Sequence, residues 1–190
     1  MARPPVPDGA TADQPADIRP LMARFPTGVS VVTALTPDGE PRGMTCNSLT
    51  SVALSPATLM VCLRAAGPTL GAVLRSGHFA VNLLHEEARA TAQLFASCGA
   101  NRFSEVEWRL PVGAHGPHLA TEALAIADCR VRHTIHIGDH VAVFAEVDRT
   151  VVHEDAEPLL YGRRRYARWS DATTASACAP LAESATRVVL

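Results

Sequence analysis

Residues 29–54 read Val29-Ser30-Val31-Val32-Thr33-Ala34-Leu35-Thr36-Pro37-Asp38-Gly39-Glu40-Pro41-Arg42-Gly43-Met44-Thr45-Cys46-Asn47-Ser48-Leu49-Thr50-Ser51-Val52-Ala53-Leu54. Val29, Val31, Thr33 and Leu35 alternate with Ser30, Val32 and Ala34, and Pro37-Asp38-Gly39-Glu40 is a hairpin turn. A second strand is expected from Arg42 to about Leu54. Working outward, Thr58 to Leu63 and His78 to Leu84 read as strands. So do two long runs, about Ala123 to His136 and Val141 to Val152, joined by Ile137-Gly138-Asp139-His140, and a short one around Pro158 to Tyr161.

Three short helices separate them. Asp17 can cap the first, with Ile18, Leu21, Met22 and Phe25 on one side and Pro26 and Gly28 ending it. Gly67-Pro68-Thr69 opens the second, which carries Leu70, Val73 and Leu74 at helical spacing and stops at Gly77. Glu86 and Glu87 are expected in the first turn of the third, with Ala88, Ala92 and Phe95 on one face and Gly99 closing it. Six or seven strands with so few helices exclude a doubly wound βα sheet. They predict a mainly β fold, a closed or partly closed antiparallel barrel.

The chain has 190 residues, enough for one domain with a real core. Residues 17–169 are expected to fold, with tails at 1–16, rich in Pro, and 170–190, rich in Ala, Ser and Thr. A net charge of -2 supplies no basic field for nucleic acid or anionic lipid. The one uncharged run longer than the roughly 18 residues of a membrane span, 43–63, is interrupted by Thr, Ser and Asn and broken by Pro56, so it is not apolar enough to cross, and the N-terminus lacks a signal-peptide core. The expectation is a cytoplasmic protein that binds neither membrane nor nucleic acid. Its five cysteines are odd in number and form no C-x-x-C pair, so neither a disulfide framework nor a zinc knuckle is indicated. All 17 basic side chains are Arg. Without Lys there is no Schiff-base amine and no Walker lysine, and any phosphate must be held by Arg, hydroxyls or backbone N–H groups.

Nucleotide-fold, hydrolase and metalloprotease motifs are missing: there is no G-x-G-x-x-G, G-x-S-x-G or H-E-x-x-H. His133 and His136, three apart on a strand, point to opposite faces, so no metal site is expected of them. The segment Arg42 to Ser51 is more informative, because Asn47 and Ser51 on one face and Ser48 and Thr50 on the other demand hydrogen-bond partners. Those are either cross-strand hydroxyls or a polar ligand lying along the strand. Thr69, in the first turn of a helix, is placed for an anion, and Arg64 could add charge to the same site.

The chain resembles the short-chain flavin reductases, the reductase components of two-component flavin-dependent monooxygenases. The resemblance rests on Phe25-Pro26-Thr27-Gly28-Val29 with Val31-Val32-Thr33, on Gly43-Met44-Thr45-Cys46-Asn47-Ser48 running into Thr50-Ser51-Val52, and on Phe79-Ala80-Val81-Asn82-Leu83-Leu84. It continues through Arg102-Phe103, Trp108, Gly138-Asp139-His140 and Pro158-Leu159-Leu160-Tyr161 ahead of Arg163 and Tyr166. Leu49 stands where the family commonly has Phe, and Pro56-Ala57 where it often has two prolines.

The resemblance implies a split β-barrel, antiparallel and Greek-key-like, of the FMN-binding type. It implies a homodimer with flavin at the subunit interface and NADH (or NADPH) as reductant. Carried over, Gly43, Met44, Thr45, Asn47 and Ser48 border the isoalloxazine and ribityl chain. Cys62, Leu63, Arg64, Pro68 and Thr69 line the rest of the flavin and its phosphate, and Phe95 approaches from the third helix. Arg102 either reaches the phosphate from the partner subunit or stands solvated. Tyr161, Arg163 and Arg164 belong to the nicotinamide side, as does His140, the candidate catalytic residue, which can contact the nicotinamide amide, steady the reduced flavin or simply build its turn. Arg163-Arg164-Arg165 is basic enough to read a 2′-phosphate.

The implied function is an NAD(P)H:flavin oxidoreductase that uses FMN (or FAD) and passes reduced flavin to a separate monooxygenase. Hydride transfer between cofactors needs orientation rather than a general base, which suits the missing acid/base motif. Two alternatives are a flavin-binding electron carrier without its own nicotinamide site and a barrel oxidase acting on a phosphorylated amine.

Overall fold

The computed structural model describes residues 16–99, 101–153 and 155–174. In chain order it contains α1 (Arg19–Met22), β1 (Thr27–Gly28), β2 (Ser30–Leu35), β3 (Pro41–Cys46), β4 (Thr50–Leu54), β5 (Ala57–Arg64) and α2 (Pro68–Ser76). There follow β6 (His78–Leu84), α3 (Arg89–Ala96), a 3-10 turn (Arg102–Ser104), β7 (Ala123–Ile137), β8 (His140–Val152), β9 (Leu159–Gly162), β10 (Arg165–Arg168) and α4 (Trp169–Thr174).

The hairpin at 29–46 forms as its sequence predicts. β2 and β3 pair antiparallel from Ser30 opposite Cys46 to Leu35 opposite Pro41. Gly39, at φ 83°, donates its N–H to the Thr36 carbonyl at 2.9 Å and closes the turn, a conformation that costs glycine little.

The strand expected to continue to Leu54 is instead two strands. The seven-stranded sheet has the order β3-β2-β6-β7-β8-β5-β4, so β3 and β4, adjacent in sequence, occupy opposite edges. Asn47-Ser48-Leu49 carries the chain from one edge to the other. Ser48 pins this crossing: its Oγ accepts the N–H of Cys62 at 2.9 Å and donates to the Cys62 carbonyl at 3.2 Å. Part of the polarity of 47–51 therefore satisfies the backbone of β5 where the edges approach. Among the described residues β3 and β4 do not pair, so the barrel is open. Helix α2 packs against β2, β3, β5 and β6 and covers the gap.

The inner face follows the strand period of two. Val32 and Ala34, Val61 and Leu63, Phe79 and Val81, and Val141, Val143 and Ala145 meet Leu70, Ala72 and Val73 of α2 in one core cluster. Each large side chain buried here contributes roughly 1.5–3 kcal/mol. The other face of β2 is buried too, since Val31, and Val29 just before the strand, pack with Ala92 and Phe95 of α3, with Ala88 at its N-cap and with Leu159 of β9. Ala88, Ala92 and Phe95 share one face, as their spacing predicts.

A polar hub fixes the long connection before β7. Asn82 is fully buried; its amide nitrogen donates to the Thr33 hydroxyl at 3.1 Å and to the Val31 carbonyl at 3.2 Å, and its oxygen accepts the Leu119 N–H at 2.8 Å. The Thr33 hydroxyl donates to Pro117 O at 2.6 Å. Gly116 lies so close to β2 that a Cβ would stand 2.4 Å from the Thr33 carbonyl oxygen. Beside it, the buried Asp128 accepts from His118 Nε2 at 2.9 Å, the His115 N–H at 2.8 Å and Arg149 at 2.7 and 2.9 Å.

Several elements differ from expectation. The described residues do not cover the apolar side of α1: Ile18, Leu21 and Phe25 are all more than half exposed. Asp17 precedes the N-cap position, held by Ile18, and accepts the Arg19 N–H at 3.0 Å. Helix α3 starts at Arg89 and ends at Ala96, leaving Glu86 and Glu87 before it and Gly99 beyond it. Glu86 instead accepts from the Ser170 N–H and hydroxyl, fastening α4 where a tail was expected to begin. β9 turns back into β10 through Arg163 and Arg164, a hairpin absent from the sequence reading. The expectations for residues 1–15, for 175–190 and for Cys178 lie outside the described residues. Cys46, Cys62, Cys98 and Cys129 are free thiols. No helix among the described residues is long and apolar enough to cross a membrane.

Candidate functional site

The start of α2 leaves donors without acceptors. Gly67 is the N-cap in extended conformation and Pro68 takes the first helical position, so the N–H groups of Thr69 and Leu70 have no carbonyl four residues back within the helix. Thr69 is 1% exposed, yet its hydroxyl makes no hydrogen bond among the described residues. Arg64, at the end of β5, is exposed, and among the described residues its guanidinium has neither hydrogen-bond nor ion-pair partner. Two N–H groups, a hydroxyl and a guanidinium thus line one cleft with no anion to meet them among the described residues.

They line a cleft of about 570 Å³. Met44 and Thr45 of β3 form its floor, Arg64 to Thr69 one wall, Phe95, Ser97 and Arg102 the other, and Asp139 stands at the rim. Thr45 Oγ1 donates to the Ala92 carbonyl at 2.7 Å and holds β3 to α3. Gly43 is needed by the wall behind: a Cβ there would stand 3.0 Å from both Phe103 Cζ and Phe95 Cε1. Phe95, Phe103 and Trp108 stack edge to face, with ring centroids 5.0 and 5.9 Å apart, so that wall is stiff.

The β7–β8 turn is docked on the same rim. The Ala65 N–H donates to the Asp139 carbonyl at 2.9 Å, and Arg64 pairs with His140 in the β5–β8 register. His140 Nδ1 lies 2.8 Å from Asp139 Oδ1. The hydrogen bond from His140 holds the Asp139 carboxyl below the usual range, so it is an acceptor and Nδ1 carries the proton. Among the described residues Nε2 has no hydrogen-bond partner and remains available to a ligand.

Arg102 is placed differently from the expectation. It lies on the cleft wall of its own chain, donating from Nη1 to the Phe95 carbonyl at 2.9 Å with its guanidinium 5.9 Å from the Phe95 ring centre. Leu63 also departs from the sequence reading, because parity on β5 turns it into the core, fully buried. Ser48 serves the edge crossing, and the half-buried Cys62 does not line the cleft. Burial pushes the Cys46 thiol up, and burial followed by the charges of Asp128 and Asp148 pushes Cys129 to about 12, so neither is a nucleophile.

Asn47 and Tyr161 belong to a second hollow of about 260 Å³, which also takes Thr45 and Tyr166. A third, of about 290 Å³, runs between α1 and the β9–β10 hairpin and is lined by Met22, Phe25, Asn47, Tyr161, Arg163 and Arg164. Thr45 is common to the first two, and Asn47 and Tyr161 to the last two, so the three hollows lie in series. Sequence reasoning did not assign Asp139, Ser97, Tyr166, Met22 or Phe25 to the site. Asp139, between a turn glycine and His140, carried a signal, as did Phe25 and Tyr166, which stand among the residues of the family resemblance; Ser97 and Met22 carried none.

Residues 22–170 match the model of the flavin reductase like domain. The chain is 50% identical over 155 residues to flavin reductase (NADPH) of Lentzea aerocolonigenes, covering 82% of this chain and 90% of the relative. It is 42% identical over 151 residues to flavin reductase (NADH) of Kitasatospora aureofaciens, covering 78% of each. The NADH:FAD oxidoreductase of Streptomyces globisporus C-1027, solved with NAD and FAD fragments, superposes with a TM-score of 0.75 at 32% identity, covering 80% of this chain and 90% of that one. With this domain match and these similarities, and with an open antiparallel barrel, the chain belongs to the flavin reductase like domain family.

Proposed function

We propose that the protein is an NAD(P)H:flavin oxidoreductase which reduces FMN or FAD and releases it to a separate monooxygenase. The observation that carries this reading is the unpartnered hydroxyl of Thr69, a residue that lines the cleft together with Arg64. Flavin and nicotinamide supply the chemistry, a hydride passing from one ring to the other.

The protein's residues bind and orient. Thr69, the two N–H groups of the α2 start and Arg64 hold the flavin phosphate. Arg keeps its charge and forks onto phosphate oxygens, so the absence of Lys costs the site nothing. Met44 and Phe95 present apolar surface to the flavin, and the stacked aromatics behind Phe95 keep that surface in place. His140 is positioned by Asp139 with Nε2 available to accept a proton or a carboxamide N–H at the rim. Asn47, Tyr161 and Tyr166 continue the groove for the nucleotide. The second hollow gives the nicotinamide its own space, which favours a reductase over an electron carrier.

The exposed side chains of α1, with Val52 and Leu54 on the free edge strand β4, support a homodimer. Mixing the protein with FMN or FAD and either reduced nicotinamide should bleach the reduced-nicotinamide absorbance with turnover. No oxidation of NADH or NADPH with either flavin would overturn the reading.

A further inference from the structure

The hollow between α1 and the β9–β10 hairpin carries positive charge that no carboxylate among the described residues pairs with. Arg163 and Arg164 form the two-residue loop of that hairpin, at φ 50° and 61°. This left-handed region is comfortable for Gly or Asn and strains a longer L residue. The loop is held to α1 by the Arg163 N–H, which donates to the Ala23 carbonyl at 2.6 Å. Among the described residues neither guanidinium has a hydrogen-bond or ion-pair partner. The nearby carboxylate, Asp17, is already taken by Arg19 at 2.8 Å, and Arg164 only adds its field there.

The same hollow is lined by Phe25, Met22 and Tyr161, surfaces suited to a flat heterocycle. It joins the anion-binding cleft through Asn47, Tyr161 and Thr45. A ligand lying along this series would meet, in order, an aromatic-walled cleft, a narrow polar stretch and an apolar slot edged by two free arginines. Resting on the reductase reading above, we infer that the third hollow binds the adenosine half of the reductant and that Arg163 and Arg164 grip a 2′-phosphate, so that the reductant is NADPH rather than NADH. A 2′-phosphomonoester is the group that a pair of uncommitted guanidinia would recognise on a dinucleotide.

Binding is tested by calorimetry on the purified full chain with adenosine 2′,5′-bisphosphate, 5′-AMP and inorganic phosphate as probes. The bisphosphate should bind at least tenfold tighter than 5′-AMP, and the double variant R163Q/R164Q should lose that difference. In turnover, the same variant should lower the ratio of kcat/KM for NADPH to that for NADH about tenfold or more. Equal binding of bisphosphate and 5′-AMP, or a preference that survives in R163Q/R164Q, would overturn the assignment. So would inorganic phosphate binding as tightly as the bisphosphate, which would mark a general anion site. Because the calorimetry needs no turnover, a protein that selects the bisphosphate but reduces no flavin would refute the reductase reading and leave the 2′-phosphate site standing.

Discussion

Thr45 Oγ1 donates to the Ala92 carbonyl at 2.7 Å, joining an edge strand to the helix whose next turn supplies Phe95 to the cleft. The floor and far wall are therefore set relative to each other by a side-chain bond as well as by packing. Thr45→Val should lose about 1 kcal/mol of stability and weaken flavin binding about threefold. Chemical denaturation and a flavin fluorescence titration read the two effects. Unchanged flavin affinity would show that the bond does not position the wall.

Thr69 behaves differently, because its hydroxyl has no partner within the described residues to lose. Thr69→Val should shift stability by less than about 0.5 kcal/mol and raise the Kd for FMN about tenfold, while leaving that for riboflavin, which lacks the phosphate, unaltered. Equal weakening of both would place Thr69 against the ring or ribityl chain rather than the phosphate.

Gly43→Ala places a methyl group 3.0 Å from Phe95 and Phe103, inside ordinary contact distance. The aromatic stack must give way, and about 1–2 kcal/mol of stability should go with it. Near-ultraviolet circular dichroism should report the displaced rings, and flavin affinity should fall because Phe95 also lines the cleft. A spectrum and an affinity like those of the wild type would mean that the stack absorbs the methyl without cost.

Acid sensitivity should centre on Asp128. Desolvation by burial would raise its carboxyl, but the bonds from His118, the His115 N–H and Arg149 outweigh it and hold it at about 2. Its folded value lies below the unfolded one near 3.8, so the unfolded chain binds more protons in between and stability falls as pH falls. The contribution, roughly 2 kcal/mol, is complete above about pH 4 and is lost as pH drops through about 2. Asp128→Asn should cost about 3 kcal/mol at neutral pH by leaving Arg149 without its counter-charge. The gap between variant and wild type should narrow in urea melts at pH 2; a constant gap would remove Asp128 as its source.

The β2–β3 hairpin, β6, the start and stop of α2 and the long β7–β8 pair were legible because each rests on local signals: alternation, a Gly at a turn, a Pro at a first helical position. That Thr69 stands in the first turn of α2 and Arg64 at the end of β5 was legible for the same reason, each being a property of one strand end or one helix start. The β9–β10 hairpin was not, since its turn carries two Arg where Gly or Asn would announce it. Leu63 shows the limit at a single residue: its place in the chain suggested the site, and the parity of β5 put it in the core.

The sequence by itself determined the strand periods, the helix ends and the kind of anion contact that a chain without Lys can make, because these depend on neighbours a few residues apart. Tertiary structure alone decided that 41–54 is two strands on opposite edges, that Ser48 serves Cys62, and that Arg163 and Arg164 come to lie against Phe25 at the end of a groove beginning at Thr69. The physical reason is that strand partners and shared hollows are set by which distant backbone donors and apolar faces can be satisfied together, and a local pattern is the same whichever partner supplies them.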